Sequence, residues 1–161
     1  MRVYISYFYQ IRFFKRYMIP LSTAIWDPKW YHAFQGPQHK FKDKNGVYNG
    51  LRIEQFMPGD ECHDLCRGAE NCDSKNPNSC EFLKKYREQL DRLDFNEVMT
   101  AFNEIGNFIK QAEGFPEDPV IVLIVHEAPQ NPCSERRVIR DWFQSNGYIL
   151  PEWSKSLSMP Y

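Results

Sequence analysis

The sequence predicts an α/β fold, namely one compact domain with a mostly parallel β-sheet flanked by helices, and a metal-binding cysteine loop inserted in it. Three observations predict it: an uninterrupted apolar run, helical patterns around that run, and four closely spaced cysteines. The 161 residues are 42% hydrophobic and 25% charged, which is ordinary for one globular domain. We expect this domain at residues 1–150, with the cysteine loop at 60–81 and a C-terminal tail at 151–161.

The run Val120–Val125 is the clearest strand in the sequence. All six residues are Val, Ile or Leu, and such a run without polar alternation is typical of a strand covered on both faces. We therefore expect it to be the central strand of the sheet. Residues 3–8, rich in β-branched and aromatic side chains, are a second strand candidate. Residues 18–25, which end shortly before Pro28, are a third.

Three later segments show helical patterns, at residues 81–93, 94–112 and 134–145. The second segment carries apolar residues at steps of three and four, which predicts one buried stripe. The third also has its apolar residues on one face and is followed by an Asn-Gly stop signal. Between the strands and the helices, Asn45 and Gly46 mark a turn that could close a small hairpin.

The charge balance excludes a global basic field. Lys and Arg number 20 against 21 Asp and Glu, for a formal net charge of −1, so binding to nucleic acid would have to be local. The longest apolar run is far shorter than the roughly 18 residues that suggest a membrane span. The N-terminus also lacks the pattern of a secretory signal. We expect a cytoplasmic protein with no membrane association.

Four cysteines, Cys62, Cys66, Cys72 and Cys80, are separated by three, five and seven residues. The intervening residues are polar and turn-forming, so core packing does not explain this density. In a reducing compartment such a cluster favours metal ligation over disulfides. The spacing predicts a structural zinc site, with an iron–sulfur cluster as the alternative and His63 as a replacement fourth ligand. An iron–sulfur cluster would open the possibility of electron transfer or redox sensing.

The segment after the central strand concentrates residue types used in catalysis. His126, Glu127 and Cys133 are the catalytic candidates, and Arg136 is a candidate ligand for an anion at the start of the last helix. In open α/β sheets, ligands bind beyond the carboxyl ends of the strands. The alternative is purely structural, with Ser134 as the helix N-cap and Cys133 as a small buried residue.

Three pieces of the chain resemble, in order, the family called domain of unknown function 488. The first is Tyr-Phe at residues 7–8 after a strand, followed by Ile-Pro-Leu-Ser-Thr-Ala at 19–24 and Pro-Lys-Trp-Tyr at 28–31. These are similar to its pattern of a strand, then Pro-Ile-Ser-Ile-Ala, then Pro-Lys-Trp-Phe. Residues 121–143 resemble its last strand, loop and Cys-His-Arg helix ending in tryptophan. The cysteine-rich loop looks like an insertion belonging to a subgroup.

This resemblance implies an α/β fold in which the shared elements meet at the strand ends. There Ser22, Lys29, Trp30, Cys133 and Arg136 could line one cleft. The chain departs from the family pattern where Cys-Ser-Glu-Arg replaces Cys-His-Arg. Because the histidine is missing, any role that the family's histidine has cannot be assigned to this chain. The resemblance does not imply an activity.

Two functions remain open from the sequence. The first is a metal-binding α/β protein that binds or processes a nucleotide or nucleic-acid component at the strand-end site. The second is a non-enzymatic module in which the metal loop is structural and the segment 9–17, with Arg12, Lys15 and Arg16, binds a protein or nucleic acid. Convergence of Lys29, Trp30 and the strand-end residues on one cavity would favour the first, and dispersal would favour the second.

Overall fold

A computed structural model describes residues 1–31, 42–63, 65, 76–131 and 133–158 of the chain. Within these ranges the chain forms an α/β domain with three strands, five α-helices and three short 3-10 helices. The strands are β1 (Arg2–Tyr7), β2 (Met18–Ser22) and β3 (Val120–Val125), and the helices are α1 (Asp60–His63), α2 (Glu81–Asp91), α3 (Phe95–Glu113), α4 (Glu135–Ser145) and α5 (Lys155–Ser158).

The three strands form one parallel sheet in the order β1-β3-β2. The prediction that Val120–Val125 is the central strand is confirmed. Strand β2 contains Pro20, which has no N–H to donate, and its position at the side of the ladder fits this restriction. Along the outer side of β1, the Ile5 N–H donates to the Pro151 carbonyl, and the Trp153 N–H donates to the Ile5 carbonyl. The start of the expected tail therefore pairs with the sheet.

Strand β3 supplies side chains to two separate cores. Ile121, Leu123 and Val125 face the larger core, which is shared with α2, α3 and α4. Val120, Val122 and Ile124 face a smaller core that includes residues of the 3-10 helix Phe8–Phe13. Burial on both faces explains why the run has no polar alternation.

The ends of the elements differ from the sequence predictions at identifiable residues. Strand β2 stops at Ser22, short of the predicted residue 25, and the next residue, Thr23, still donates its N–H and its hydroxyl to the Ile124 carbonyl. Helix α3 begins after Asp94, which accepts a bond from the Glu97 N–H, and ends at Gly114, whose φ is 71°. Within the described ranges, no helix combines the length and apolar character needed to cross a membrane.

Candidate functional site

The three strands are parallel, so their carboxyl ends lie at one edge of the sheet, where Ser22 ends β2 and His126 follows β3. Beyond β1 and β3, Arg136 and Glu152 form an ion pair at this edge. Arg136 is 5% exposed, and its Nε lies 2.5 Å from Glu152 Oε1. Its Nη1 donates to the Glu127 carbonyl at 2.6 Å, and its guanidinium lies 5.7 Å from the Tyr7 ring centroid. Glu152 thus occupies the role that we predicted for an anionic ligand.

A pair of carboxyl groups lies beside this ion pair. Ser134 is the buried N-cap of α4, accepts a bond from the Arg136 N–H, and donates its hydroxyl to Glu127 Oε2 at 3.0 Å. The carboxyl group of Glu127 acts on that of Glu135 and disfavours its ionisation. Burial, followed by repulsion from Glu127, raises the pKa of Glu135 to about 8.

The raised pKa of Glu135 predicts a stability that falls as the pH rises. Because the pKa of Glu135 in the folded state lies above its ordinary value of about 4.3, the folded protein holds the proton more tightly than the unfolded chain. From about pH 4.5 to about pH 8, the free energy of unfolding should fall by at most about 1.4 kcal/mol per pH unit.

The substitution Glu135→Gln should flatten this pH dependence, because the carboxamide has nearly the same size as the carboxyl group and does not titrate. Urea unfolding at a series of pH values measures the effect. Equal slopes in the wild type and in Glu135→Gln would show that the pKa of Glu135 is not raised in the folded protein.

The other catalytic candidates occupy separate surroundings. His126 is exposed, its Nε2 contacts the Trp26 carbonyl, and its ring lies 5.2 Å from the Phe8 ring. The Cys133 N–H donates to Asn131 Oδ1, and the residue is half-buried. Lys29 is exposed. The structure therefore brings Glu127 to Arg136 but leaves His126 against an aromatic cluster.

Ser22 belongs to a third arrangement, at the end of β2. Its hydroxyl donates to Asp27 Oδ1, and Asp27 in turn pairs with Arg52, whose Nε lies 3.1 Å from Oδ2. Arg52 also donates to the carbonyl of Ala24. This network holds the turn that follows the strand, so we assign Ser22 a positioning role in the fold.

The predicted ligand-binding residues therefore disperse. Arg136 lines a groove of about 400 Å³ together with Arg137 and Arg140. Trp30 lines a different groove of about 500 Å³ together with Arg12 and Lys44.

A more continuous surface lies on the other side of the sheet, around the 3-10 helix Phe8–Phe13. The turn at Asn45 and Gly46 closes a small hairpin, with a bridge between Lys42 and Tyr48. Asn45 Nδ2 donates to the Arg12 carbonyl at 2.9 Å, so the hairpin is fixed against the 3-10 helix. As predicted, this Asn-Gly pair forms a turn; its glycine has a φ of 79°.

The hairpin places two lysines beside the basic segment predicted from the sequence. Arg12 and Asn45 line both the Trp30 groove and a second groove of about 840 Å³, so the two grooves are adjacent. We call the two grooves together the basic-aromatic surface. Its basic residues are Arg12, Lys15, Arg16, Lys42, Lys44 and Lys155, and its aromatic residues include Phe13, Trp30 and Trp153.

Within the described residues, the two grooves are lined by six basic side chains and by two acidic ones, Asp43 and Glu117. Lys42 is also paired with Glu113 at 2.7 Å, so part of its positive charge is neutralised. Sequence reasoning missed Lys42, Lys44 and Lys155 because they are distant in the chain from Arg12. The predicted hairpin was the signal that could have located the first two.

The cysteine loop is described at its two ends. Cys62 is buried in α1, with its thiol 3.9 Å from Gln89 Oε1 in α2, and Cys80 immediately precedes α2. Cys66 and Cys72 lie outside the described residues, as does the side chain of His63. Within the described part of the chain, no cluster of three or more potential metal ligands occurs.

Comparison with family models, with curated proteins and with solved structures finds no match to this chain.

Proposed function

We propose that this protein is a non-enzymatic module that binds single-stranded nucleic acid through the basic-aromatic surface. The observation that carries the proposal is the charge of that surface. Six basic side chains line two adjacent grooves on a chain whose net charge is −1. Local concentration of positive charge on a nearly neutral chain is the electrostatic pattern of a phosphate-binding face.

The aromatic side chains support a single strand as the partner. Trp30 is 54% exposed, and the cations of Arg12 and Lys155 lie 4.0 and 4.5 Å from the ring centroids of Tyr9 and Phe13. Unpaired bases stack on such rings, whereas the bases of a duplex are already stacked and cannot reach them. Arg12 and Lys155, which lie over these rings, can form ion pairs with the phosphates that link the stacked bases.

The proposal is tested by titrating a labelled single-stranded oligonucleotide and following its fluorescence anisotropy at several salt concentrations. If all six basic groups contact phosphates, log K against log salt should have a slope of about −4. Affinity should then fall by roughly 10²-fold between about 50 and about 200 mM salt.

The variant Lys15→Glu with Lys44→Glu should reduce the affinity at least about tenfold and flatten the slope. The matched control is Lys84→Glu with Lys85→Glu, which makes the same charge change at exposed positions of α2. Equal losses in both double variants would show that net charge, rather than this surface, governs binding.

The metal site is part of the same proposal. We infer that Cys62, Cys66, Cys72 and Cys80 hold one structural zinc, with an iron–sulfur cluster as the alternative. Support comes from the four thiols and from the position of the two described ones, both of which adjoin α2. A zinc with four thiolate ligands has no open coordination position, so its contribution would be to stability. Cytoplasmic location and the resemblance to domain of unknown function 488 stay predictions.

One observation favours the alternative, a site that processes nucleotides at the strand ends. Burial and the neighbouring Glu127 raise the pKa of Glu135 there, and a carboxyl group with a raised pKa can act as a general acid. Ser134, however, caps the helix between them, and the carboxyl pair adjoins the buried Arg136–Glu152 ion pair. Hydrolysis of nucleotides that is lost in Glu135→Gln would support this alternative.

A further inference from the structure

We propose that the bound single strand continues beyond the Trp30 groove onto a second stacking site at the carboxyl ends of the β-strands, formed by Trp26, Lys29 and His126. This inference rests on the proposed function, and it adds a second contact and a longer footprint for the nucleic acid. We call these three residues the Trp26 site.

Exposed aromatic side chains are concentrated at this end of the sheet. In the described part of the chain, six large apolar side chains are exposed, and three of them are Tyr9, Trp26 and Trp30, which follow the ends of β1 and β2. Trp26 is 75% exposed, which is more than the exposed fraction of Trp30. A single exposed apolar side chain is ordinary, whereas a group of them marks a binding surface.

The turn at residues 26–31, which carries two of the exposed rings, is fixed by buried contacts. The Asp27 side chain is fully buried and pairs with Arg52 at 3.1 Å. The fully buried Tyr31 donates its hydroxyl to the Pro20 carbonyl at 3.1 Å. Side chains presented by a fixed backbone lose less conformational freedom when a ligand binds, so this turn suits a binding surface.

The ring of Phe8 connects the Trp26 site to the Trp30 groove. Phe8 is buried, and its centroid lies 6.2 Å from that of Trp30 and 5.2 Å from that of His126. The exposed His126 in turn contacts the Trp26 carbonyl through Nε2. Trp26 and Trp30 are four residues apart, so their Cα atoms are separated by at most about 14 Å. That distance is about four nucleotides of a strand with stacked bases, so one strand can contact both rings.

The charges around the Trp26 site suit a phosphate chain. Lys29 is exposed and adds a cation to those that line the adjoining groove. The Asp27 carboxylate, two residues earlier, is paired with Arg52. The Glu127 carboxylate, which follows β3, accepts the Ser134 hydroxyl. Bases can therefore stack on the exposed rings while the phosphates between them meet the lysine.

The test measures the affinity of the full-length protein for single-stranded oligonucleotides of increasing length, from about 4 to about 16 nucleotides. Trp26→Ala should bind the longest oligonucleotide about tenfold more weakly than the wild type does, because one stacked base is lost. It should bind the shortest with wild-type affinity, because a short strand occupies the basic-aromatic surface alone. Trp26→Phe, which keeps an aromatic ring, should retain most of the affinity at every length.

Phe108→Ala is the matched control, because Phe108 is 73% exposed but lies on α3 and lines neither groove of the basic-aromatic surface. It should leave the affinity unchanged at every length. Lys29→Gln should flatten the slope of log K against log salt by about 0.7 for the longest oligonucleotide, which corresponds to one phosphate contact on a single strand.

The outcomes separate this inference from the proposed function. Equal affinity of the wild type and Trp26→Ala for the longest oligonucleotide, or an equal loss at every length, would overturn the Trp26 site while leaving the basic-aromatic surface intact. Binding to vesicles of anionic lipid that is lost in Trp26→Ala, with oligonucleotide binding unchanged, would overturn it in favour of a membrane surface. Absence of binding to every oligonucleotide at low salt would overturn the proposed function itself.

Discussion

Arg136→Ala is expected to lower the free energy of unfolding by about 3–5 kcal/mol, because it leaves Glu152 buried without a partner. The guanidinium also holds the Glu127 carbonyl and lies over the Tyr7 ring, so its loss removes contacts from two strand ends. Urea unfolding followed by circular dichroism measures the change. The structure therefore assigns Arg136 to the stability of the fold, whereas the sequence predicts that it binds a ligand.

Two controls distinguish the loss of the Arg136–Glu152 ion pair from the general effect of removing an arginine side chain. Arg137→Ala changes the exposed neighbour, whose guanidinium donates to Asn78, and should cost no more than about 0.5 kcal/mol. Arg136→Met combined with Glu152→Leu should recover much of the stability, because it removes both buried charges together. A wild-type melting curve for Arg136→Ala would contradict the stabilising role of the ion pair.

Cys66→Ser is expected to abolish stoichiometric metal binding and to lower the stability by about 4 kcal/mol when the metal is present at about a thousand times its Kd. The reason is that the free energy of binding metal to the folded chain alone is also free energy of folding. For a chain of this size the melting temperature should fall by roughly 10 °C. Elemental analysis and an absorbance spectrum identify the metal, and thermal melting measures the effect.

The matched control is Cys133→Ser, a cysteine outside the loop, which should retain the metal. A chelator should shift the melting of the wild type to that of Cys66→Ser and should leave the variant unchanged. Full metal content together with unchanged melting in Cys66→Ser would contradict the metal site. A brown protein containing iron and sulfide would identify an iron–sulfur cluster in place of zinc.

The elements with a regular pattern could be predicted from the sequence. Val120–Val125 was identifiable because a strand buried on both faces needs apolar side chains at every position. Helix α3 was identifiable from its apolar stripe, with its ends fixed by Asp94 and Gly114. In these cases the residues that favour the local structure are also the residues that the packing requires, so the sequence pattern predicts the element correctly.

The candidate site could be predicted only in part, because its key contacts join distant segments. The sequence places Arg136 in a first helical turn, but Glu152 reaches it only because the following segment bonds along β1. Lys155 joins the basic-aromatic surface for the same reason, in the groove that contains Lys15. Such pairings depend on tertiary structure, which no spacing rule encodes.

The most direct test of nucleic-acid binding is ultraviolet crosslinking of the wild type to a single-stranded oligonucleotide, with the crosslinked peptides mapped by mass spectrometry. We predict crosslinks at the aromatic residues of the basic-aromatic surface, Phe13, Trp30 and Trp153, and their loss in Lys15→Glu with Lys44→Glu. Crosslinks confined to the groove of Arg137 and Arg140, or equal crosslinking of the wild type and the double variant, would contradict the proposed surface.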